Sequence, residues 1–102
     1  DTVRDFNLTL KWEMSKYRMM HGSAYFLDYV YVIGGFANMA TLVSCERFSL
    51  INQKWENLAN LPHAVHSNSV VVSEPRYALY SVGGAKHLSF ESVDVIQELN
   101  LI

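Results

Sequence analysis

Cysteine, basic clusters and long apolar runs are all scarce in this sequence, and each shortage excludes a class of protein. The single cysteine, Cys45, cannot form a disulfide within the chain, and no Cys/His spacing matches a structural zinc site. The eight lysines and arginines are scattered and form no basic stripe that could follow a phosphate backbone. We therefore expect a cytoplasmic protein with no nucleic-acid partner.

The most apolar stretch, residues 25–40, is too interrupted to cross a membrane. Asp28 and the pair Gly34-Gly35 divide it, whereas a spanning helix needs about 18 uninterrupted apolar residues. No secretory signal is recognisable, and the sequence begins at Asp1 without an initiator methionine. We expect a soluble protein with no membrane partner, whose true N-terminus lies elsewhere.

What the sequence does contain is an internal repeat. The pairs Gly34-Gly35 and Gly83-Gly84 stand 49 positions apart, and each follows a run rich in aromatic and apolar residues. Self-similarity at a period of 20–50 residues is typical of repeat architectures.

Other features recur in the same order. Arg18-x-x-His21 corresponds to His63-x-x-His66, 45 positions later. A four-residue segment occurs three times, as Val3–Phe6, Cys45–Phe48 and Val93–Ile96. Trp12 follows the first of these segments and Trp55 the second. The intervals vary while the order is kept, which is expected when length changes fall in loops.

Short β-branched and aromatic runs alternate with turn residues, and no stretch keeps an apolar period of 3.6 residues. The predicted fold class is therefore all-β. Predicted strands cover residues 2–8, 11–15, 23–27, 29–34, 43–49, 54–58, 68–73, 77–82 and 92–98. The runs at 29–33 and 70–72 are apolar on both faces, so we expect neighbouring sheets above and below them.

The double glycines and the tryptophans have physical roles in such a stack. Without a Cβ, Gly34 and Gly35 allow the chain to leave the central strand in conformations that other residues avoid, and allow close approach of another backbone. Trp12 and Trp55 are expected to be large rings wedged between the stacked sheets.

This pattern resembles the Kelch repeat, in which Arg-x-x-His, two hydrophobic strands ending in Gly-Gly, an aromatic residue and a tryptophan follow one another. The first copy is complete, with Arg18, His21, Gly34, Gly35, Phe48 and Trp55. The second copy has His63 in place of the arginine, then His66, Gly83, Gly84, and Ile96 in place of the aromatic residue. It stops before its tryptophan.

The resemblance implies part of a Kelch-type β-propeller made of four-stranded antiparallel blades. It divides the chain into residues 1–17, the last two strands of a preceding blade, residues 18–62, the first repeat, and residues 63–102, a second repeat truncated before its last strand. These blades form an incomplete ring, so the remaining propeller blades of a longer parent chain are expected neighbours.

Cys45 and the paired histidines invite a chemical interpretation that their surroundings do not favour. We expect Cys45 in a small apolar slot, in preference to a redox or cross-linked site. His63 and His66 have no further ligand at a recognisable spacing, and His66 repeats His21, so a structural hydrogen bond is expected there and no metal.

The acidic residues and the glycosylation sequon are also expected to be inert. Asp5, Glu46 and Asp94 occupy nearby positions of the third strand, and one carboxylate per blade favours a solvated or backbone-capping role. The triplet Asn7-Leu8-Thr9 is a sequon that we expect to stay unused in the cytoplasm.

The resemblance implies a protein-binding scaffold, and the sequence shows no nucleophile–base arrangement. We expect no enzyme activity and no cofactor. Related propellers serve as substrate adaptors of cullin-RING ubiquitin ligases and as cytoskeletal or ciliary assembly proteins. The alternative is a propeller enzyme, such as a copper radical oxidase or a sugar-acid epimerase, with catalytic residues outside this chain.

The resemblance implies that a partner protein or peptide binds at the loops 18–22, 36–42, 63–67 and 85–90. The residues predicted to contact it, all partly exposed, are Arg18, Met20, Asn38, Met39, Lys86 and His87. For Arg18 the alternative of a structural pin within the repeat stays open.

Overall fold

The computed structural model describes residues 7–87 and 91–101, and within these ranges the chain is all-β, as predicted. The strands are β1 (Gly22–Phe26), β2 (Tyr29–Ile33), β3 (Phe36–Ala37), β4 (Ala40–Thr41), β5 (Cys45–Ser49), β6 (Lys54–Asn57), β7 (Ser69–Ser73), β8 (Ala78–Val82), β9 (Ala85–Lys86), β10 (Glu91–Ser92) and β11 (Ile96–Asn100). No helix in these two ranges is long and apolar enough to cross a membrane.

The first sheet has four antiparallel strands in the order β1-β2-β5-β6. A two-residue turn joins β1 to β2, and its residues Leu27 and Asp28 both have left-handed φ angles, 50° and 67°. Two-residue turns of this kind match the right-handed twist of paired strands, and aspartate tolerates the left-handed region well.

The second sheet repeats this arrangement with the three strands β7, β8 and β11, in the order β11-β8-β7. In the first sheet Ile33 lies between Gly22 and Cys45, and in the second Val82 lies between Ser69 and Ile96. The two sheets therefore have the same topology and the same register over three strands. Strands β1 and β7 are neighbours, so the sheets stand side by side.

A small two-stranded hairpin follows each double glycine. The β3–β4 hairpin lies in the connection between β2 and β5, and the β9–β10 hairpin lies in the connection between β8 and β11. Because both connections leave the same end of their sheets, the hairpins lie together at one end of the structure, here named the hairpin end. The turns between β1 and β2 and between β7 and β8 lie at the opposite end, here named the turn end.

The core lies between the two sheets. Its buried members are Phe26, Tyr31, Ile33, Cys45, Leu61, Val65 and Leu79. The other face of β2 carries Val30 and Val32, which lie beside Phe48 and the two tryptophans. Val32 is 3% exposed, but the side chains beside it come from the first sheet itself and from residues 12–14. In the second run, Val71 is 52% exposed. The expected sheets on the outer faces of these runs therefore stay a prediction.

The N-terminal segment differs from the prediction. The strand expected at residues 11–15 is wrong, because residues 7–17 form no strand. The strand expected at 2–8 falls largely outside the described residues. Residues 12–18 instead lie along the face of the first sheet, where the Trp55 indole N–H donates to the Glu13 carbonyl at 2.9 Å and Lys16 Nζ donates to Asn57 Oδ1 at 3.2 Å.

The tryptophans do not lie between the two sheets. The rings of Trp12 and Trp55 both contact Phe48, at centroid distances of 5.0 Å and 5.1 Å, on the face turned away from the second sheet. Trp12 remains 44% exposed and Trp55 is half-buried. Neither ring lies between the two described sheets, and the expectation that Trp12 and Trp55 lie between neighbouring blades stays a prediction.

The register of the repeat also differs from the one inferred from sequence. Met19 pairs with Phe36 after the first double glycine, and His66 pairs with Ala85 after the second, so Met19 and His66 are structurally equivalent. His21 consequently corresponds to Asn68 and not to His66. Backbone pairing sets this correspondence, whereas the sequence comparison matched chemically similar side chains.

The third strand of the second sheet is shifted in the same way. It begins at Ile96, four residues later than predicted, so Cys45 corresponds to Ile96 and Phe48 to Leu99. The residues before it, 93–95, form no strand and follow the β9–β10 hairpin.

The residues that precede β1 (16–21) and β7 (63–68) are here named the first and second entry segments. The double glycine lets the second entry segment approach the end of β2. Gly34 and Gly35 have φ angles of 66° and 116°, a region that side chains disfavour. A Cβ on Gly34 would lie 2.5 Å from the Val65 carbonyl oxygen, and the Gly35 N–H donates to that same oxygen at 2.8 Å. Glycine is therefore required here both by conformation and by space.

Substitution of Gly34 should destabilise the protein more than the same change at its equivalent, Gly83. Both have left-handed φ, which costs alanine about 1–2 kcal/mol, but a Cβ on Gly83 meets only the Val93 carbonyl at 3.5 Å. Because Gly34→Ala also forces a backbone clash, we expect it to cost about 1–3 kcal/mol more than Gly83→Ala. Chemical denaturation measures the difference, and equal losses would show that the approach of Val65 is not the constraint.

Candidate functional site

The first entry segment is fixed to the hairpin end by Arg18. Its Nη1 donates to the carbonyls of Gly34 and Ser44 at 2.6 Å and 2.9 Å, and its Nη2 donates to Ser44 Oγ at 3.2 Å and to Glu46 Oε2 at 3.1 Å. The guanidinium thus joins the end of β2 to the start of β5. A planar fork with several donors suits such a site better than a lysine would.

Arg18 is 4% exposed, so the expectation that it is partly exposed for a partner is wrong. Its hydrogen bonds instead fit the alternative, a structural pin within the repeat. The expected solvated or capping role of Glu46 is also wrong. This carboxylate is 1% exposed, and its second oxygen accepts a hydrogen bond from Ser15 Oγ at 2.5 Å. A buried carboxylate needs such partners, because desolvation without them is costly.

The second repeat fills the equivalent positions with uncharged residues. Val65 stands in the place of Arg18, and Gln97 in the place of Glu46. The buried Gln97 amide accepts from the His63 N–H at 2.8 Å and donates to the His63 carbonyl at 3.1 Å. One amide side chain therefore fixes the backbone at His63, whose side chain remains exposed.

His66 fastens the second entry segment to the second hairpin. The residue is buried, and its Nε2 lies 3.0 Å from the His87 carbonyl oxygen, while its Nδ1 lies 2.9 Å from Ser67 Oγ. Since a carbonyl oxygen only accepts, Nε2 carries the proton and donates. This bond holds the backbone of His87, the residue that follows β9.

The two hairpins are also joined directly. The His87 N–H donates to Thr41 Oγ1 at 2.9 Å, so the end of β9 is tied to β4. Between the hairpins lies an open groove of about 650 Å³. Its lining residues are Met39, Ala40, Thr41, His63, Ala64, Lys86, His87, Ser92, Val93, Asp94 and Val95.

The groove combines apolar and ionisable groups. Met39 is 76% exposed at the tip of the first hairpin, and Val93 and Val95 provide apolar surface on the other side. Lys86 lies 3.8 Å from Glu91 across the second hairpin, and both side chains are largely accessible. An apolar surface with a few fixed polar groups is typical of a binding site.

Three of the six residues predicted to contact a partner, Met39, Lys86 and His87, line this groove. Asn38 is exposed beside Met39, and Met20 is half-buried at the first entry segment. Whether these residues bind a partner stays a prediction.

Thr41, His63 and Asp94 also line the groove and were missed as contact residues. Asp94 was missed because the sequence predicted a strand at 92–98, whereas β11 begins at Ile96 and Asp94 lies in the loop before it. His63 lies in the predicted partner loop 63–67 but was not among the six predicted contact residues. It lines the groove, and Gln97 holds its backbone.

Two further groups have pKa values displaced by burial. Burial raises the pKa of the Cys45 thiol, which is free and 2% exposed, so the expected apolar slot is confirmed and the reactive thiolate is disfavoured. Burial, and to a lesser extent the Arg18 charge, lowers the pKa of His21.

Within residues 7–87 and 91–101, no group of three His, Cys, Asp or Glu residues could hold a metal ion.

Comparison with models of known protein families identifies a match in the N-terminal part of the chain. Residues 17–62 match the Kelch motif, and this range runs from the residue before Arg18 to Pro62, so it contains the whole first sheet. Search of curated proteins finds no relative. The assignment of residues 63–102 to a second repeat therefore stays a prediction, supported by the shared topology of the two sheets.

Arg18→Val should destabilise the protein by about 3–5 kcal/mol, because Glu46 would be left as an unpaired buried charge. The second repeat provides a rescue, since it has valine and glutamine at these positions. We expect Arg18→Val/Glu46→Gln to unfold within about 1–2 kcal/mol of the parent protein. Urea denaturation of both variants and of Glu46→Gln alone measures this coupling. A double variant as unstable as Arg18→Val would refute the interpretation of the pair.

Proposed function

We propose that this chain, whose residues 17–62 form a Kelch repeat and hence a propeller blade, binds another protein through the groove at its hairpin end. Kelch blades commonly bind proteins, and the groove supplies an accessible surface at which both hairpins meet. The observation that carries the proposal is the direct bond between the hairpins, from the His87 N–H to Thr41 Oγ1.

The rigidity of the groove supports binding. The His87 carbonyl is held by the buried His66 ring, and the start of the first hairpin is paired with Met19. Loops that a rigid scaffold holds in place bind at a lower entropic cost than loops that must first become ordered.

The chemistry of the groove favours a loop or an extended peptide with an apolar anchor. Met39 offers a flexible, polarisable side chain, which adapts to apolar partners. Lys86, His63 and Asp94 provide donors and charges around it. The central apolar contact would supply affinity, and the surrounding polar groups would supply specificity.

Within this proposal, the protein acts in the cytoplasm as a non-enzymatic scaffold, either as a substrate adaptor of a cullin-RING ubiquitin ligase or as a component of a cytoskeletal or ciliary assembly. The resemblance to Kelch propellers supports both roles. Identification of the proteins recovered with the full-length protein separates them, since a cullin indicates the first role and cytoskeletal subunits indicate the second.

Met39→Asn and Lys86→Ala should each weaken partner binding by about tenfold, in line with the loss of a central interface contact. Asparagine is chosen because Met39 has a φ of 65°, which asparagine tolerates. The matched control is Ile51→Asn, an exposed apolar residue in the β5–β6 turn at the other end of the first sheet.

Affinity chromatography with quantitative mass spectrometry compares the three variants with the parent protein, and thermal denaturation monitors their stability. The proposal expects proteins that are lost from both groove variants and retained by Ile51→Asn. A partner retained by the groove variants, or lost only in proportion to stability, would contradict it.

A further inference from the structure

The turn end of the structure carries a second cleft that is separate from the groove. It has a volume of about 360 Å³ and lies between the β1–β2 turn and the β7–β8 turn. Its lining residues are Tyr25, Phe26, Leu27, Asp28, Glu74 and Tyr77. They come from both sheets, so the cleft forms only where the sheets stand side by side.

Aromatic rings form much of this cleft. Phe26 is buried, and the Tyr77 ring packs against it edge-on, with centroids 5.8 Å apart and an interplanar angle of 64°. Tyr25 and Tyr77 are both about half exposed, at 59% and 47%. Exposed tyrosine faces next to a buried ring offer a negative π surface to a ligand.

The charged groups of the cleft are all acidic. Asp28 and Glu74 are exposed, and no lysine, arginine or histidine in the described ranges forms an ion pair with either of them. The Tyr25 hydroxyl donates to Asp28 Oδ1 at 3.2 Å, which orients this carboxylate beside the ring. Arg76 is close in sequence but forms no ion pair with either carboxylate in the described ranges.

The backbone presents these groups on two tight turns. Leu27 and Asp28 form the two-residue turn with left-handed φ angles, and Tyr77, with a φ of 50°, closes a turn in which its N–H donates to the Glu74 carbonyl at 3.1 Å. Pro75 lies directly after Glu74 and restricts the same turn. The backbone that carries Asp28, Glu74 and Tyr77 is therefore held in two tight turns.

Tyrosine rings and carboxylates without an ion pair in the described ranges surround one cleft, and this combination is complementary to a cation that also carries apolar carbon. We propose that this cleft binds the basic side chain of a protein partner, a lysine ammonium or an arginine guanidinium, by cation–π contact with Tyr25 and Tyr77 and charge pairing with Asp28 and Glu74. Apolar Leu27, which is 57% exposed, then covers the methylene chain. This site is independent of the groove at the hairpin end.

The test is an NMR titration of the full chain with small probes. The probes are Nα-acetyl-lysine amide, Nα-acetyl-arginine amide, and the lysine probe acetylated at its side-chain nitrogen as the uncharged control. We expect saturable shifts at Leu27 and Tyr77 with the two charged probes and none with the acetylated one. Added salt should weaken the binding, because the carboxylates are exposed.

Variants identify the groups responsible. Asp28→Asn keeps a residue that tolerates the left-handed turn, and Glu74→Gln keeps the shape of the side chain, so each removes only a charge. We expect each to lower the affinity about two- to fivefold, and Tyr25→Leu to lower it by a similar factor. The matched control is Asp94→Asn, the same change of charge at the hairpin end, which should leave probe binding unchanged.

Equal shifts with the acetylated probe, or the absence of a saturable shift, would overturn the proposal. So would affinity that is insensitive to both carboxylate substitutions. The comparison of probes needs only the parent protein, so it decides the question even if a variant fails to fold.

Discussion

The close approach of the Val65 backbone to Gly34 and Gly35 is the contact on which the rest of the described structure depends. Here the entry segment of the second sheet reaches the end of β2 in the first, and the Gly35 N–H donates to the Val65 carbonyl at 2.8 Å. Any Cβ on Gly34 would push this segment away. The contact fixes how the sheets stand side by side, and thereby where both hairpins and both turns meet.

The two entry segments are held by different chemistry at equivalent positions. Arg18 and Glu46 form a buried ion pair in the first repeat, whereas Val65 is part of the core in the second and Gln97 holds the backbone of His63. A buried ion pair is costly to desolvate, so the neutral solution is energetically reasonable. In the second sheet, Gln97 holds the backbone of His63, whose side chain lines the groove.

Much of the fold was predictable from local pattern, and the site was predictable only in part. Short apolar runs and the double glycines were enough to predict the all-β fold class. The position of Met39 and His87 in loops was enough to predict that they are exposed. The pairing of Arg18 with Glu46 joins residues 28 positions apart and left no local signal. The hairpin strands have two residues each, too short for any periodicity, so the groove between them could not be inferred from sequence.

The account centres on the groove at the hairpin end as the surface that binds a protein partner. Amide hydrogen exchange, measured with and without the partner recovered by the parent protein, tests this most directly. We predict slower exchange on binding in residues 36–42, 85–87 and 91–95, with no change in the β5–β6 turn at residues 50–53. Protection confined to the turn end, with unchanged exchange in both hairpins, would contradict the account.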